Sequence, residues 1–157
     1  MATLERARAR KPSRRRTRGF ARILVPLDFT KRDRATVRTA LLVAEASGGA
    51  TTLLHVVYVP DEAALRDLDD LYRELVDKAR VRLRRYAAPF RGKRLAVTIE
   101  VRLGKPLEEI LGRARAEGAD LIVLASHAVE PARPAPGWNT LSYGVAALCG
   151  CPVLLAK

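Results

Sequence analysis

Five short apolar runs, separated by segments whose apolar residues recur every three or four positions, constrain this chain more than any other feature. The runs are 22–27, 51–59, 95–103, 120–125 and 152–156. Arg22-Ile-Leu-Val-Pro-Leu27 and Asp120-Leu-Ile-Val-Leu-Ala125 read as strands buried on both faces. Thr51 to Val59 is β-branched and apolar, hence a second strand ended by Pro60. The third run alternates Val97, Ile99 and Val101 with Thr98, Glu100 and Arg102, the pattern of a strand with one wetter face at a sheet edge. Between the runs, Val37, Leu41 and Ala44 line a helical face that Thr30 is expected to cap and Gly48-Gly49 to stop. Leu65, Leu68, Tyr72, Leu75, Ala79, Leu83 and Tyr86 predict one amphipathic helix over 61–88, ended by Pro89 and Gly92. A third helix should start at Pro106, carry Glu108 and Glu109 in its first turn, bury Leu107, Ile110, Leu111 and Ala114, and stop at Gly118. Leu141, Val145 and Leu148 mark a last short helix. Strands alternating with helices predict an α/β fold, an open five-stranded parallel sheet wound by right-handed crossovers with helices on both faces, Rossmann-like in outline.

At 157 residues the chain suits one domain. Its apolar runs are too short to span a bilayer, and no apolar signal stretch follows the charged N-terminus; a cytoplasmic protein without membrane contact is expected. Cys149 and Cys151 stand too close for an ordinary bridge and lack the Cys-x-x-Cys spacing, so they read as small buried thiols in a reducing compartment. The net charge of +12 is uneven. Residues 1–19 carry Arg6, Arg8, Arg10, Lys11, Arg14, Arg15, Arg16 and Arg18 against one glutamate, with almost nothing apolar. This tail is expected to be disordered, leaving a domain over 20–157, and offers a sequence-indifferent contact with nucleic acid or another polyanion. A second basic cluster, Lys78 to Arg94, reads as a solvated face or as part of such a contact.

The connection after the fourth strand, Ala125 to Thr140, is the functional question. In α/β sheets a strand–loop–helix turn of this kind is where phosphates bind, through backbone N–H groups that glycine leaves accessible. Here glycine is nearly absent, and Pro131, Pro134 and Pro136 have no N–H to donate. Ser126 and His127 are adjacent, so their side chains point to opposite faces and do not form a nucleophile–base pair. His55, on a strand, reads as a satisfied core histidine. Trp138 either covers the crevice or packs under the loop, and Arg133 reads as a surface arginine rather than a substitute phosphate ligand.

Several segments together resemble the universal stress protein family. Ile23-Leu-Val-Pro-Leu-Asp28-Phe-Thr30 is similar to its first strand and Asp-bearing turn, and Leu53-Leu-His-Val-Val57 to its second strand. Gly104-Lys-Pro106 with Ile110, then Gly118-Ala-Asp-Leu-Ile-Val-Leu124, resembles its third helix and fourth strand; Cys151-Pro-Val-Leu-Leu155 resembles its last strand. The resemblance implies the sheet order 3-2-1-4-5, with a ligand crevice between strands one and four. It implies that Pro26, Leu27, Asp28 and Val56 line an adenine and ribose site, Asp28 having the rival role of capping the helix near Thr30. It places Ala125 and Ala128 at two phosphate-loop glycines, with Ser126 and His127 between them, and Asn139-Thr140, followed by Leu141, where Gly-Ser opens the last helix. Alanine lacks glycine's access to φ > 0, whereas Thr140 keeps the hydroxyl.

Three functions follow as expectations. The first is a non-catalytic stress-response adaptor or protein-interaction module whose nucleotide binding is weak or lost. The second is a sensor that binds ATP or AMP, with no metal beyond a nucleotide-bound Mg. The third is polyanion association through the tail. A homodimer is implied through strand five, whose Val153, Leu154 and Leu155 form an apolar edge, and an unknown protein partner accompanies the adaptor reading.

Overall fold

The computed structural model describes residues 19–126 and 140–157. Its five strands are β1 (Arg22–Pro26), β2 (Ala50–Tyr58), β3 (Val97–Gly104), β4 (Leu121–Ala125) and β5 (Val153–Ala156). The helices are α1 (Asp33–Ser47), α2 (Glu62–Asp67), α3 (Asp69–Gly92), α4 (Pro106–Glu117) and α5 (Leu141–Leu148). All strand pairs are parallel and the order is β3-β2-β1-β4-β5, as the resemblance implies.

Strand alternation divides the core into two layers. Ile23, Val25 and Leu27 with Leu53, Leu121 and Val123 face α1 and α3, where Val37, Ala40, Ala44, Leu83, Ala87 and Phe90 meet them. Leu24, Leu54, Ile122 and Leu124 point the other way, against Ile110 and Ala114 of α4 and Val145 of α5. A smaller cluster of Val57, Val59 and Tyr72 holds the start of α3.

Four local expectations are corrected. The helix expected over 61–88 is two helices, because Leu68 leaves helical geometry at φ −123° and ψ 30°. Asp61 caps α2 by accepting the Ala64 N–H at 2.8 Å, and Asp69 and Asp70 open α3 where its dipole favours them. Leu68 and Leu75, expected on the buried stripe, are exposed at 47% and 38%. Pro89 does not end α3: it stands exposed inside the helix, which runs on to Gly92, and the fully buried Phe90 anchors the turn beyond it. Thr30 does not cap α1, which begins at Asp33 with no side-chain cap.

β3 is the wetter edge strand expected, and α4 explains its polar face. Arg102 pairs with Glu100 and Glu109 at 3.0 and 3.2 Å, and Arg113 pairs with Glu100 and Glu117 at 2.6 and 3.0 Å. Gly104 makes the turn into α4 at φ 147°, and a Cβ there would stand 2.8 Å from the Glu109 carboxylate.

Candidate functional site

The winding reverses between β1 and β4. Their ladder runs only through Ile23–Leu121 and Leu24–Ile122, whereas β1 stays paired with β2 as far as Pro26. Beyond that point the carboxyl ends of β1 and β4 border a cavity of about 250 Å³. Pro26, Leu27 and Asp28 form one lip, Leu54, His55 and Val56 the back, and Leu124 and Ala125 the other lip. Pro106 and Ile110 of α4 and Leu141 and Ser142 at the start of α5 close it, and Arg32 and Asp33 enter from the head of α1.

Of the residues singled out in the sequence, Pro26, Leu27, Asp28, Val56, Ala125 and Leu141 share this wall. Ser126 does not; its backbone N–H donates to the Ala156 carbonyl at 2.8 Å and ties β4 to β5. Thr140 is the N-cap of α5, its hydroxyl accepting the Tyr143 N–H at 3.3 Å. His127, Ala128 and Asn139 lie outside the described residues, as do Arg133, Trp138 and the loop prolines.

The acidic corner was only half legible. Asp28 accepts the Thr30 N–H at 3.0 Å, an Asx turn, and lies 3.7 Å from the Arg32 guanidinium. Asp33 is 1% exposed, and its carboxylate accepts the Phe29 N–H at 2.7 Å and the Asp28 N–H at 3.4 Å. It therefore staples the turn from behind, the part expected of Thr30. Burial, then the neighbouring Asp28 charge, pushes the Asp33 carboxyl up to about 6. Burial works against ionisation of Asp28 too, but bonds from Thr30 and Asp33 and the Arg32 charge outweigh it and hold that carboxyl below its usual range. Of the two, Asp33 is the one that takes up a proton first as pH falls.

His55 is satisfied, as expected, but it also lines the cavity. Its Nδ1 lies 2.7 Å from the Leu27 carbonyl, so Nδ1 carries the proton and Nε2 of the neutral ring is an acceptor. Burial first, and Arg82 less, hold its pKa below the ordinary histidine value. The ring stacks on Phe29 at 4.0 Å between centroids. Phe29 has φ 63°, unfavourable for an aromatic residue. Arg82 secures it twice, over the ring at 4.2 Å and on its carbonyl at 3.0 Å. No described group of three or more His, Cys, Asp or Glu side chains is arranged to hold a metal ion.

A doubly wound parallel sheet with a crevice at its switch point defines an open α/β protein. The chain belongs to the universal stress protein family, whose model matches residues 19–157. Among solved structures it is similar to the hypothetical protein MJ0577, at 22% identity and a TM-score of 0.75, over 87% of this chain and 95% of that one. It is also similar to the universal stress protein UspA from Lactobacillus plantarum, at 22% identity and 0.66, over 88% and 99%. A third is the universal stress protein from Archaeoglobus fulgidus in complex with dAMP, at 17% identity and 0.60, over 87% and 98%. At these identities the likeness is one of fold. Comparison with curated proteins finds no matching relative.

Proposed function

We propose that this protein is a non-catalytic universal stress protein whose switch-point cavity takes the adenosine part of a nucleotide and grips phosphate poorly. The observation that carries the reading is the wall itself. Apolar Leu27, Val56, Ile110 and Leu124 flank a base-sized space, and the groups at its polar end are acceptors: the carboxylates of Asp28 and Asp33 and Nε2 of His55. Acceptors suit ribose hydroxyls and an exocyclic amine, and they oppose phosphate charge. The related dAMP complex supports an adenosine ligand of this kind. Arg32 is the one cation on the described wall, and the loop sequence puts Ala125, Ala128 and three prolines where backbone donors are needed.

AMP should bind with a Kd of about 0.1 mM, roughly −5.5 kcal/mol, and ATP no more tightly. Calorimetric titration checks this. Introducing glycine at both Ala125 and Ala128 should tighten ATP more than adenosine. AMP binding weaker than millimolar, unchanged by that double substitution, sinks the reading and leaves the adaptor role without nucleotide.

A further inference from the structure

A second cavity, of about 200 Å³, lies beyond the end of α4, away from the switch point. Leu111, Ala114 and Ala119 form its apolar wall, and Cys149, Gly150 and Cys151 cross its mouth. These are the only two cysteines of the chain, both free and half-buried. One glycine separates them, and the Cys149 thiol donates to the Cys151 carbonyl at 3.0 Å. Both thiols border this one cavity, two positions apart in the chain.

The donor count excludes the common metals. Structural zinc takes four ligands, and no third His, Cys, Asp or Glu joins the pair among the described residues. Soft two-coordinate ions remain, but a linear sulfur–metal–sulfur unit holds its sulfurs two full bonds apart, a wider span than a pyramidal centre asks of two cysteines one glycine apart. An anionic bis-thiolate is also disfavoured against an apolar wall whose one charged lining residue, Arg115, is exposed. The Cys151 thiol reports that environment: burial first, then the adjacent Cys149, pushes it up to about 11. What fits is a centre that takes two adjacent sulfurs at a narrow angle and gives an uncharged product.

We propose that Cys149 and Cys151 form a chelating dithiol site for trivalent arsenic compounds. A dihydroxyarsine, R–As(OH)2, exchanges both hydroxyls for the two sulfurs. Two As–S bonds form, two As–O and two S–H bonds break, and the thiol protons leave in two water molecules. No electron is transferred, and the product is neutral. The bridge ties the end of α5 to the residue that leads into β5.

The test uses the reduced full-length chain and phenylarsine oxide, which hydrates to the dihydroxy form. Intact mass should show one phenylarsenic group per chain in place of two hydrogens, with both thiols protected together from alkylation. Chelation should make the adduct resist excess monothiol about 10²-fold better than in Cys149→Ser or Cys151→Ser, while a dithiol strips it. Arsenic bridging two chains, thiols that alkylate independently in its presence, or equal resistance in the single variants would overturn the proposal. Thiol protection is read on the unsubstituted chain, so the test stands even if a variant fails to fold.

Discussion

Asp33 carries the most chemistry per atom in the described structure. No sequence motif singles it out, and only the turn folding back over it makes it a buried acceptor for two backbone N–H groups. The raised value near 6 fixes a sign. The folded chain holds this proton more tightly than the unfolded chain, so the contribution to stability is full below about pH 4 and is lost as pH rises through 6. Asn mimics the protonated acid and does not titrate. The Asp33→Asn variant should therefore gain on the parent by up to about 3 kcal/mol between pH 4 and pH 7. Denaturant melts at the two pH values measure it, and a constant difference would show that Asp33 does not hold the proton. Phe29 poses the opposite choice. Glycine would relieve about 1 kcal/mol of left-handed strain but forfeit about 2 kcal/mol of ring burial and stacking on His55. Phe29→Gly should be destabilised by about 1 kcal/mol in thermal melts, because packing outweighs strain.

Whole elements followed local signals where those signals were chemical. Pro106 at the head of α4, Glu108 and Glu109 behind it and Gly118 at its left-handed end stand as the sequence implies. Gly118→Ala, at φ 62°, should cost about 1 kcal/mol in chemical denaturation. Helix α3 resisted the same reading because periodicity reports a face and not what covers it. Leu68 and Leu75 fall on the apolar spacing, yet both stand exposed. The polar residues of β3 were legible as a wet face, but the two ion pairs that join it to α4, Arg102–Glu109 and Glu100–Arg113, needed the register that sets β3 beside α4. Thr140, whose hydroxyl the sequence singled out and the structure shows to be the cap of α5, tests the lip of the cavity. Thr140→Ala should destabilise α5 by about 1 kcal/mol and weaken AMP binding through the shifted Leu141 and Ser142.

At the scale of the molecule, two sheet edges differ. β3 is dressed with charge, whereas β5 offers Leu154 and Leu155, 37% and 43% exposed, beside its unpaired backbone. An apolar edge left open among the described residues favours strand pairing with a second copy. Light scattering should find a dimer that Leu154→Asp converts to monomer; a monomeric parent would refute the pairing. The basic tail lies outside the described residues, and its polyanion reading is tested by deletion. Full-length protein should bind DNA with a steeper salt dependence than the chain lacking residues 1–18, and equal slopes would remove the idea. None of the described helices is long and apolar enough to cross a membrane.

The sequence by itself determined the alternation of strands and helices apart from the break at Leu68, the parallel sheet, the family and one lip of the cavity. Each of these follows from periodicity, turn chemistry and motifs that act within a few residues. It also showed that the connection after β4 is poor in glycine and in backbone N–H groups, since a missing glycine or N–H is a covalent fact. Only the tertiary structure decided that Asp33 is buried, that His55 faces the cavity while bonded to Leu27, and that Cys149 and Cys151 share a wall with α4. Burial and proximity across many residues are properties of packing, and packing sets which carboxyl keeps its proton.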